Sequence, residues 1–479
     1  MTRPVRYVLR ILSPVHVGCD EVYEPMAFTM DKERCKLIAF DPLEFLKQLK
    51  SGERESFAAI CGKGTIASIL EIYQFMSQRK CEGLEVEVSS GFIKHYQRTL
   101  SLSPREARKL EQEMNRFSIS RTSYNSVSQT AYLPGSAVKG ALRTAYLNKK
   151  ANDEGNLQGR RGTSAKELEK SLLDGGSFDT DPFRMLKVSD FLPLGPVSTR
   201  IVYAVNRKKK RSNFEARGPY QILEVIEPGA LFEGWISVFE PEKEAGIKRP
   251  LTLTSVLASS ESFYTAEWER EMPELLEIGT GQPKLQRQAN ERLIRLGRHS
   301  GAECVTIQGH RDIKIMQGGN QRPKYSANAS TLWLAAESEK PPTNVGLRPF
   351  GWAALREASV EETGLFEELR AKRASAASPE MSTTLHVEPL PPEAEKHDAS
   401  NQTRVVEYET WEAASISWRP NDQTVVAVLG NRKAEGRGRE LIPDSLTEKV
   451  LGKKRKTVTA RVRVEPVGRD SYKIVEIED

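Results

Sequence analysis

Cysteine is scarce and unpatterned in this chain. Five are spread over 479 residues (Cys19, Cys35, Cys61, Cys81, Cys304), with no C-x-x-C pair. That argues against a disulfide framework or a cysteine zinc site and fits a reducing cytoplasm. Histidine is equally thin: six, with no H-x-x-x-H or H-E-x-x-H spacing. A metalloenzyme is therefore disfavoured and neither metal nor cofactor is expected, although carboxylate-held magnesium stays open. No apolar run approaches the roughly 18 residues of a membrane span. Arg10 interrupts the first apolar stretch, so no signal-type block follows the start. Also missing are G-x-x-x-x-G-K-[ST], a G-x-G-x-x-G after a strand, and G-x-S-x-G. Their absence removes the usual signatures of nucleotide hydrolysis, dinucleotide redox and α/β-hydrolase chemistry.

What is present is charge. At 28% charged and 38% hydrophobic, the composition suits a soluble globular protein and excludes collagen-like or wholly disordered chains. The length suggests about three domains. Lys and Arg number 71 against 65 Asp and Glu, a net charge of +6 that permits an anionic partner.

Val5, Tyr7, Leu9 and Ile11 alternate on one face of a first strand that Ser13-Pro14 ends. Short strands follow around Met26 to Asp31 and Lys36 to Phe40. Asp41-Pro42 then opens a helix, with Asp41 as its N-cap. Residues 55–83 and 104–117 read as helical, the second with Ser103 as cap and Pro104 at its first position. Ser118 to Tyr132 reads as a loop or hairpin, Ala137 to Asn148 as a helix, and 149–181 as a polar insertion. The middle third repeats the mixture: strands at 184–192, Thr199 to Val205, Tyr220 to Ile226 and Leu231 to Phe239. A helical stretch covers about 262–296, interrupted near Pro273 and Pro283, and a strand is expected at Cys304 to Ile307. Strands and helices in short alternation give an α+β class.

Pro379, Pro389, Pro391 and Pro392 mark a linker over 374–402. Beyond it, strands at Ala414 to Trp418, Thr424 to Leu429 and Glu440 to Ile442 precede a helix, Pro443 to Leu451. Two more strands follow, Thr457 to Val464 and Tyr472 to Ile477. That β-β-β-α-β-β order is the one of an OB-type barrel. From Asn431 to Arg463 eleven Lys and Arg face four acids, an excess larger than the net charge of the whole chain. Trp418 and Tyr472 are candidate stacking platforms for single-stranded RNA, or else core.

Three segments carry candidate chemistry. In Leu133-Pro134-Gly135-Ser136-Ala137-Val138-Lys139-Gly140-Ala141-Leu142-Arg143, Pro-Gly makes a tight turn and Ser136 can cap the helix. Helix-start N–H groups favour a phosphate, and Lys139 and Arg143, four apart, share a face. An ordinary capped helix with two solvated cations fits as well. His16, just past the first strand, suits base stacking, a phosphate contact, general-base work or a structural turn. Gly297-Arg298-His299-Ser300-Gly301, with Arg311 nearby, can approach a sugar-phosphate backbone or simply end a helix. The runs Arg207-Lys208-Lys209-Lys210-Arg211 and Lys453-Lys454-Arg455-Lys456 would attract a polyanion, or be solvated loops.

Ile11-Leu12-Ser13-Pro14-Val15-His16-Val17-Gly18 resembles the opening motif of the repeat-associated mysterious proteins, the RAMP superfamily of CRISPR systems. Tyr132 to Thr144 is similar to their Pro-Gly-Ser helix motif. Ile119-Ser120-Arg121-Thr122, Pro228-Gly229-Ala230-Leu231-Phe232 and Arg295 to Gly301 add further matches. The combination resembles the fifth-subunit family of the type III-A Csm effector complex, over about residues 1–357.

The resemblance implies two tandem ferredoxin-like (RRM-like) domains, here 1–182 with a helical insertion and 183–373. With the linker 374–402 and the basic OB-like domain 403–479, they complete the expected layout. It implies a non-catalytic subunit that caps the backbone filament near the crRNA 3′ end and supports crRNA maturation. Its implied partners are crRNA, other Csm subunits and recruited host nucleases, with no membrane. His16, Gly18, Gly135, Ser136, Lys139, Arg143, Arg207, Lys208, Lys209, Arg298, His299 and Arg311 are the expected RNA contacts. Gly346-Leu347-Arg348-Pro349-Phe350-Gly351-Trp352 is poorer in glycine than the family's C-terminal loop. The rivals are a RAMP endoribonuclease with His16 as general base, and a purely structural assembly cap.

Overall fold

The computed structural model describes residues 4–103, 106–155, 164–173, 177–210, 212, 215–216, 218–242, 246–282, 284–316, 322–376, 408–419, 424–430, 432–451, 458–466 and 471–478. Pro104, Pro283, Arg211, the 453–456 run and residues 377–402 of the expected linker lie outside them. The chain divides into two compact units, Met1–Met381 and Ser382–Asp479. The division falls inside the stretch expected as linker, although its first residues, 374–376, are helical.

Unit 1 begins with β1 (Val5–Ile11), β2 (Gly18–Val22), β3 (Phe28–Asp31) and β4 (Lys36–Ala39). Helices α1 (Pro42–Gln48), α2 (Ser51–Gly62) and α3 (Ile66–Met76) follow, then β5 (Leu84–Val88), α4 (Ser90–Leu100), α5 (Ala107–Met114) and β6 (Ile119–Thr122). Next come α6 (Gly135–Asp153), α7 (Ala165–Leu173), β7 (Leu186–Val188), β8 (Leu192–Pro193), β9 (Thr199–Lys208), β10 (Gln221–Ile226) and β11 (Leu231–Val238). The unit closes with α8 (Leu253–Ile278), β12 (Arg292–Arg295), β13 (Ile313–Ile315), β14 (Lys324–Ser326), β15 (Thr331–Ala336), β16 (Arg348–Pro349), β17 (Trp352–Glu357) and α9 (Val360–Ala376).

Several expectations hold at residue level. Asp41 caps α1 by accepting the Leu43 N–H at 2.8 Å. On β1, Tyr7, Leu9 and Ile11 enter the core with α6 and α8, while Arg6 and Arg10 on the opposite face pair with Glu233 and Glu291. Other local readings are corrected. Thr65 caps a fresh helix within 55–83, so that stretch holds two helices. The stretch 262–296 is helical only to Ile278. Gly279 stops it in the left-handed conformation, and 292–295 is a strand. Cys304 to Ile307 is no strand: Glu303–Val305 is a 3₁₀ turn with Glu303 and Cys304 buried. β2, β5 and α4 are further elements: β2 has too few apolar residues to stand out locally, whereas Leu84, Val86 and Val88 of β5 alternate with Glu85 and Glu87, and α4 buries Phe92, Ile93 and Tyr96 on one face.

Two sheets organise the unit. The first has the order β12-β17-β1-β11-β7, with β8 also on β11, and all its pairs are antiparallel. The second runs β2-β6-β10-β9-β5-β4-β3. The ten-residue β9 offers one edge to both β5 and β15. β1 pairs with β11 and β17, and β6 pairs with β10. Each sheet therefore takes strands from both sides of residue 182, so the expected 182/183 boundary separates neither.

Unit 2 is a closed five-stranded barrel, β18 (Glu409–Arg419), β19 (Thr424–Leu429), β20 (Arg432–Arg437), β21 (Val458–Pro466) and β22 (Ser471–Glu478), in the order β18-β19-β20-β22-β21. Helix α10 (Asp444–Leu451) lies between the third and fourth strands, as expected. The third strand is Arg432–Arg437. The Glu440 to Ile442 stretch read as a strand instead holds the 3₁₀ turn Arg439–Leu441. Trp411, Ile416, Val425, Val462 and Ile474 fill the interior. Among the described residues, no helix is long and apolar enough to cross a membrane.

Candidate nucleic-acid interface

The chain turns off β1 at Leu12 and is gripped at each step. Ser13 Oγ accepts the Trp352 N–H at 2.8 Å, Pro14 O accepts the Gly351 N–H at 2.9 Å, and Val15 exchanges backbone bonds with Ile226. This delivers His16 into a fully buried position. Its Nδ1 lies 2.7 Å from the Glu224 carbonyl oxygen, which fixes Nδ1 as the donor and leaves Nε2 as a lone pair. Nε2 has no hydrogen-bond partner. Burial holds the imidazole below its usual range, so it is neutral at physiological pH.

The Arg295 to Gly301 segment docks on the same turn. The Arg298 N–H donates to the His16 carbonyl at 2.8 Å. Gly297 has φ +79°, and a side chain there would overlap that carbonyl, so only glycine fits. His299 is also left-handed, at φ +63°. Its Nε2 lies 3.1 Å from Gln221 Oε1, and its ring packs on Trp333 and Phe350. Burial drives its pKa down to about 3. The Arg298 side chain, by contrast, is exposed and makes no ion pair among the described residues. Three glycine-bearing segments thus converge: 11–18, 295–301 and 346–352. Gly18 lies exposed beside them.

The helix motif is built differently from expectation. Pro134 occupies the N-cap position and α6 starts at Gly135, so Ser136 is an exposed residue inside the first turn and not the cap. A Cβ on Gly135 would collide with the carbonyls of Val188 and Ser189. The Gly135 N–H donates to Asp190 Oδ1 at 2.7 Å, so a carboxylate of the chain already sits at this helix start. Lys139 donates to the Leu186 carbonyl at 2.9 Å, and burial holds its ammonium below the usual range. Arg143 pairs with Asp181 and Glu169, each at 2.8 Å, over the Phe183 ring.

The run after Asn206 is no free loop either. Arg207 and Lys208 end β9, with Arg207 bonded to Asn344 and Lys208 to Ser212. Lys209 is buried, pairing with Glu303 at 2.6 Å and Glu274 at 3.0 Å. Arg311 is buried against Glu267 at 2.5 Å. Among the described residues of this group, Lys210 alone is exposed.

Several partners were missed from sequence. Glu224 is buried, accepts the Thr122 N–H at 3.1 Å, and is pushed above the usual carboxyl range by burial. Arg121 lies between the rings of Tyr23 and Tyr124. Lone acids in apolar strands, such as Glu224 in Gln221-Ile222-Leu223-Glu224-Val225-Ile226, are the only local signal of such contacts. In the barrel, Trp418 and Tyr472 are both half-buried against the interior, and Arg432 lies over the Tyr472 ring. Among the described residues, no group of three or more His, Cys, Asp or Glu is placed to hold a metal.

Comparison with known proteins follows this geometry. The family model for the RAMP superfamily matches residues 8–272. A chain from a cryo-EM structure of a Csm-crRNA-target RNA ternary complex, from a type III-A CRISPR-Cas system, is 18% identical. It aligns at a TM-score of 0.47 over 74% of this chain and 100% of its own. Csm5 of T. onnurineus is 16% identical, with a TM-score of 0.43 over 72% of this chain and 99% of its own. No curated protein matches the sequence.

Proposed function

The chain belongs to the RAMP superfamily, and from that premise we propose that it is a non-catalytic, guide-RNA-binding subunit of a type III-A CRISPR ribonucleoprotein. It caps the backbone filament near the crRNA 3′ end, with neighbouring Csm subunits as partners and host nucleases as visitors. The observation that carries this reading is the convergence of the 11–18, 295–301 and 346–352 segments, which leaves Arg298 and Gly18 at the surface and His16 beneath them. An exposed guanidinium beside a bare backbone suits contact with phosphate and ribose, the contact a guide-binding protein needs to accept any spacer. The buried His16 supports a structural role over a general base, because a base must come within hydrogen-bond reach of its proton. The internal partners of Gly135, Lys139, Arg143, Arg207, Lys209 and Arg311 support a role for those residues in holding the seat's shape.

Setting aside the short β8 and the edge strand β12, the first sheet's chain order β1-α6-β7-β11-α8-β17 is β-α-β-β-α-β, which supports a ferredoxin-like reading of that sheet. The barrel's strand order and helix position likewise support the OB-type reading.

The deciding experiment mixes the purified chain with 5′-labelled mature and precursor crRNA, with magnesium and with EDTA, and scores binding and cutting on one gel. Binding without cutting is expected. Cutting at a defined position, abolished by His16→Ala, would establish the endoribonuclease instead.

A further inference from the structure

The barrel's outer surface is divided by charge. On one side, β21 and β22 with the start of β18 form a ladder of ion pairs. Arg461 reaches Glu412 at 2.7 Å and Glu478 at 3.5 Å, and Arg463 reaches Glu476 at 3.3 Å and lies over the Tyr408 ring. Three acids, Glu412, Glu476 and Glu478, meet two cations there. A polyanion gains nothing there.

The other side is centred on β19 and β20. Register puts Ser417 beside Val426 and Val426 beside Glu435, while Val428 lies between Ser415 and Lys433. Glu435 in turn faces Lys473 on β22. Arg419 ends β18 at the same edge. Arg419, Lys433 and Lys473 are exposed; Glu435 sits 2.5 Å from Lys433 and 3.6 Å from Arg419, and Lys473 stands in register between Glu435 and Glu465. Between these cations lie the half-buried Ser415 and Ser417, the buried Val426 and the exposed Val428. A strand-borne face that sets exposed cations around hydroxyls and a valine matches the chemistry of a single-stranded polynucleotide, and strands two and three are the ligand face of barrels with this connectivity.

We propose that the outer face of β19 and β20, edged by Arg419, Lys433 and Lys473, is a second nucleic-acid site that holds a single strand by its phosphates. The site goes beyond the guide seat of unit 1 and uses none of its residues. Glu435 is its internal competitor: it occupies two of the three cations until a phosphate replaces it.

The test uses the whole chain and a fluorescein-labelled oligouridine of about 12 nucleotides, within the span of one such barrel. Anisotropy titrations are run over a series of salt concentrations. The triple variant Arg419→Ala, Lys433→Ala, Lys473→Ala is expected to bind at least about tenfold more weakly. Its salt slope should fall by about 2, at roughly 0.7 per lost single-strand contact. Glu435→Gln is expected to tighten binding, a gain that misfolding cannot produce. Arg461→Ala with Arg463→Ala is expected to change nothing. An oligothymidine arm distinguishes RNA from DNA as the strand held, and equal affinity would mean that only the shared backbone is read. A triple variant that binds like the parent, an equal loss in the Arg461/Arg463 variant, or equally tight binding of a duplex of the same length would each overturn the proposal. Every titration is repeated in an Arg298→Ala background, which removes the exposed cation of the unit 1 seat, so that a loss at the barrel is read apart from crRNA retention by unit 1, which the gel measures separately.

Discussion

The two units use the same residue types to opposite ends. In unit 1 the arginines and lysines that stand out by motif are mostly turned inward. Arg295 and Glu271 are wholly buried as a pair, with Trp352 Nε1 also donating to Glu271, and Lys209 with Glu303 and Arg311 with Glu267 follow the same pattern. In the barrel the charges stand on the outside, in half-exposed ladders. A buried pair is tied to the fold, because removing one partner strands a charge in a low dielectric. A surface pair contributes little and exchanges readily for a phosphate. The number of cations in a segment therefore says nothing about how many can meet RNA.

The contrast is broken most sharply at α8. Glu271→Ala leaves Arg295 buried and unpaired and is expected to cost unit 1 about 3–5 kcal/mol in chemical denaturation. An unchanged midpoint would place that pair with the surface ladders. Gly297→Ala combines a left-handed residue with an overlap on the His16 carbonyl, and is expected to cost about 2 kcal/mol or more in the same assay.

Acid is the next lever. His16 and His299 have folded values below their unfolded value of 6.5, and His299 falls to about 3. Below pH 6.5 the unfolded chain binds the protons, so stability falls as pH drops from 6.5 towards the folded values. The slope is about 1.4 kcal/mol per pH unit for each histidine. His299→Gln should flatten the slope of unit 1 in pH-dependent unfolding, whereas the barrel contains no histidine to respond.

Smaller effects sharpen the functional side. Arg298→Ala is expected to weaken crRNA retention several-fold and lower the salt slope by about 0.7, with the unfolding midpoint unmoved. Lys139→Ala with Arg143→Ala should do the reverse, losing about 1–2 kcal/mol of stability as the Asp181 and Glu169 partners are stranded. At the small end, Arg461→Ala in the barrel should stay within about 0.5 kcal/mol of the parent.

Much of this could be read locally. Asp41 before Pro42, the alternation of Tyr7, Leu9 and Ile11, and the β-β-β-α-β-β order of the last unit are signals carried within a few residues. So are the motifs around His16 and Gly135. The partners were not legible. β1 pairs with strands more than two hundred residues away, and nothing in Val5–Ile11 names β11 or β17. Asp190 at the start of α6 and Glu224 behind His16 are single acids with no spacing to announce them.

By itself, then, the amino-acid sequence determined the α+β class, the family motifs and the strand order of the barrel, because periodicity, turn chemistry and helix caps are short-range. Tertiary structure alone decided which cations are available. Whether Arg143 or Arg298 can meet a phosphate depends on desolvation and on acids brought from distant strands, and those terms exist only once the sheets have formed.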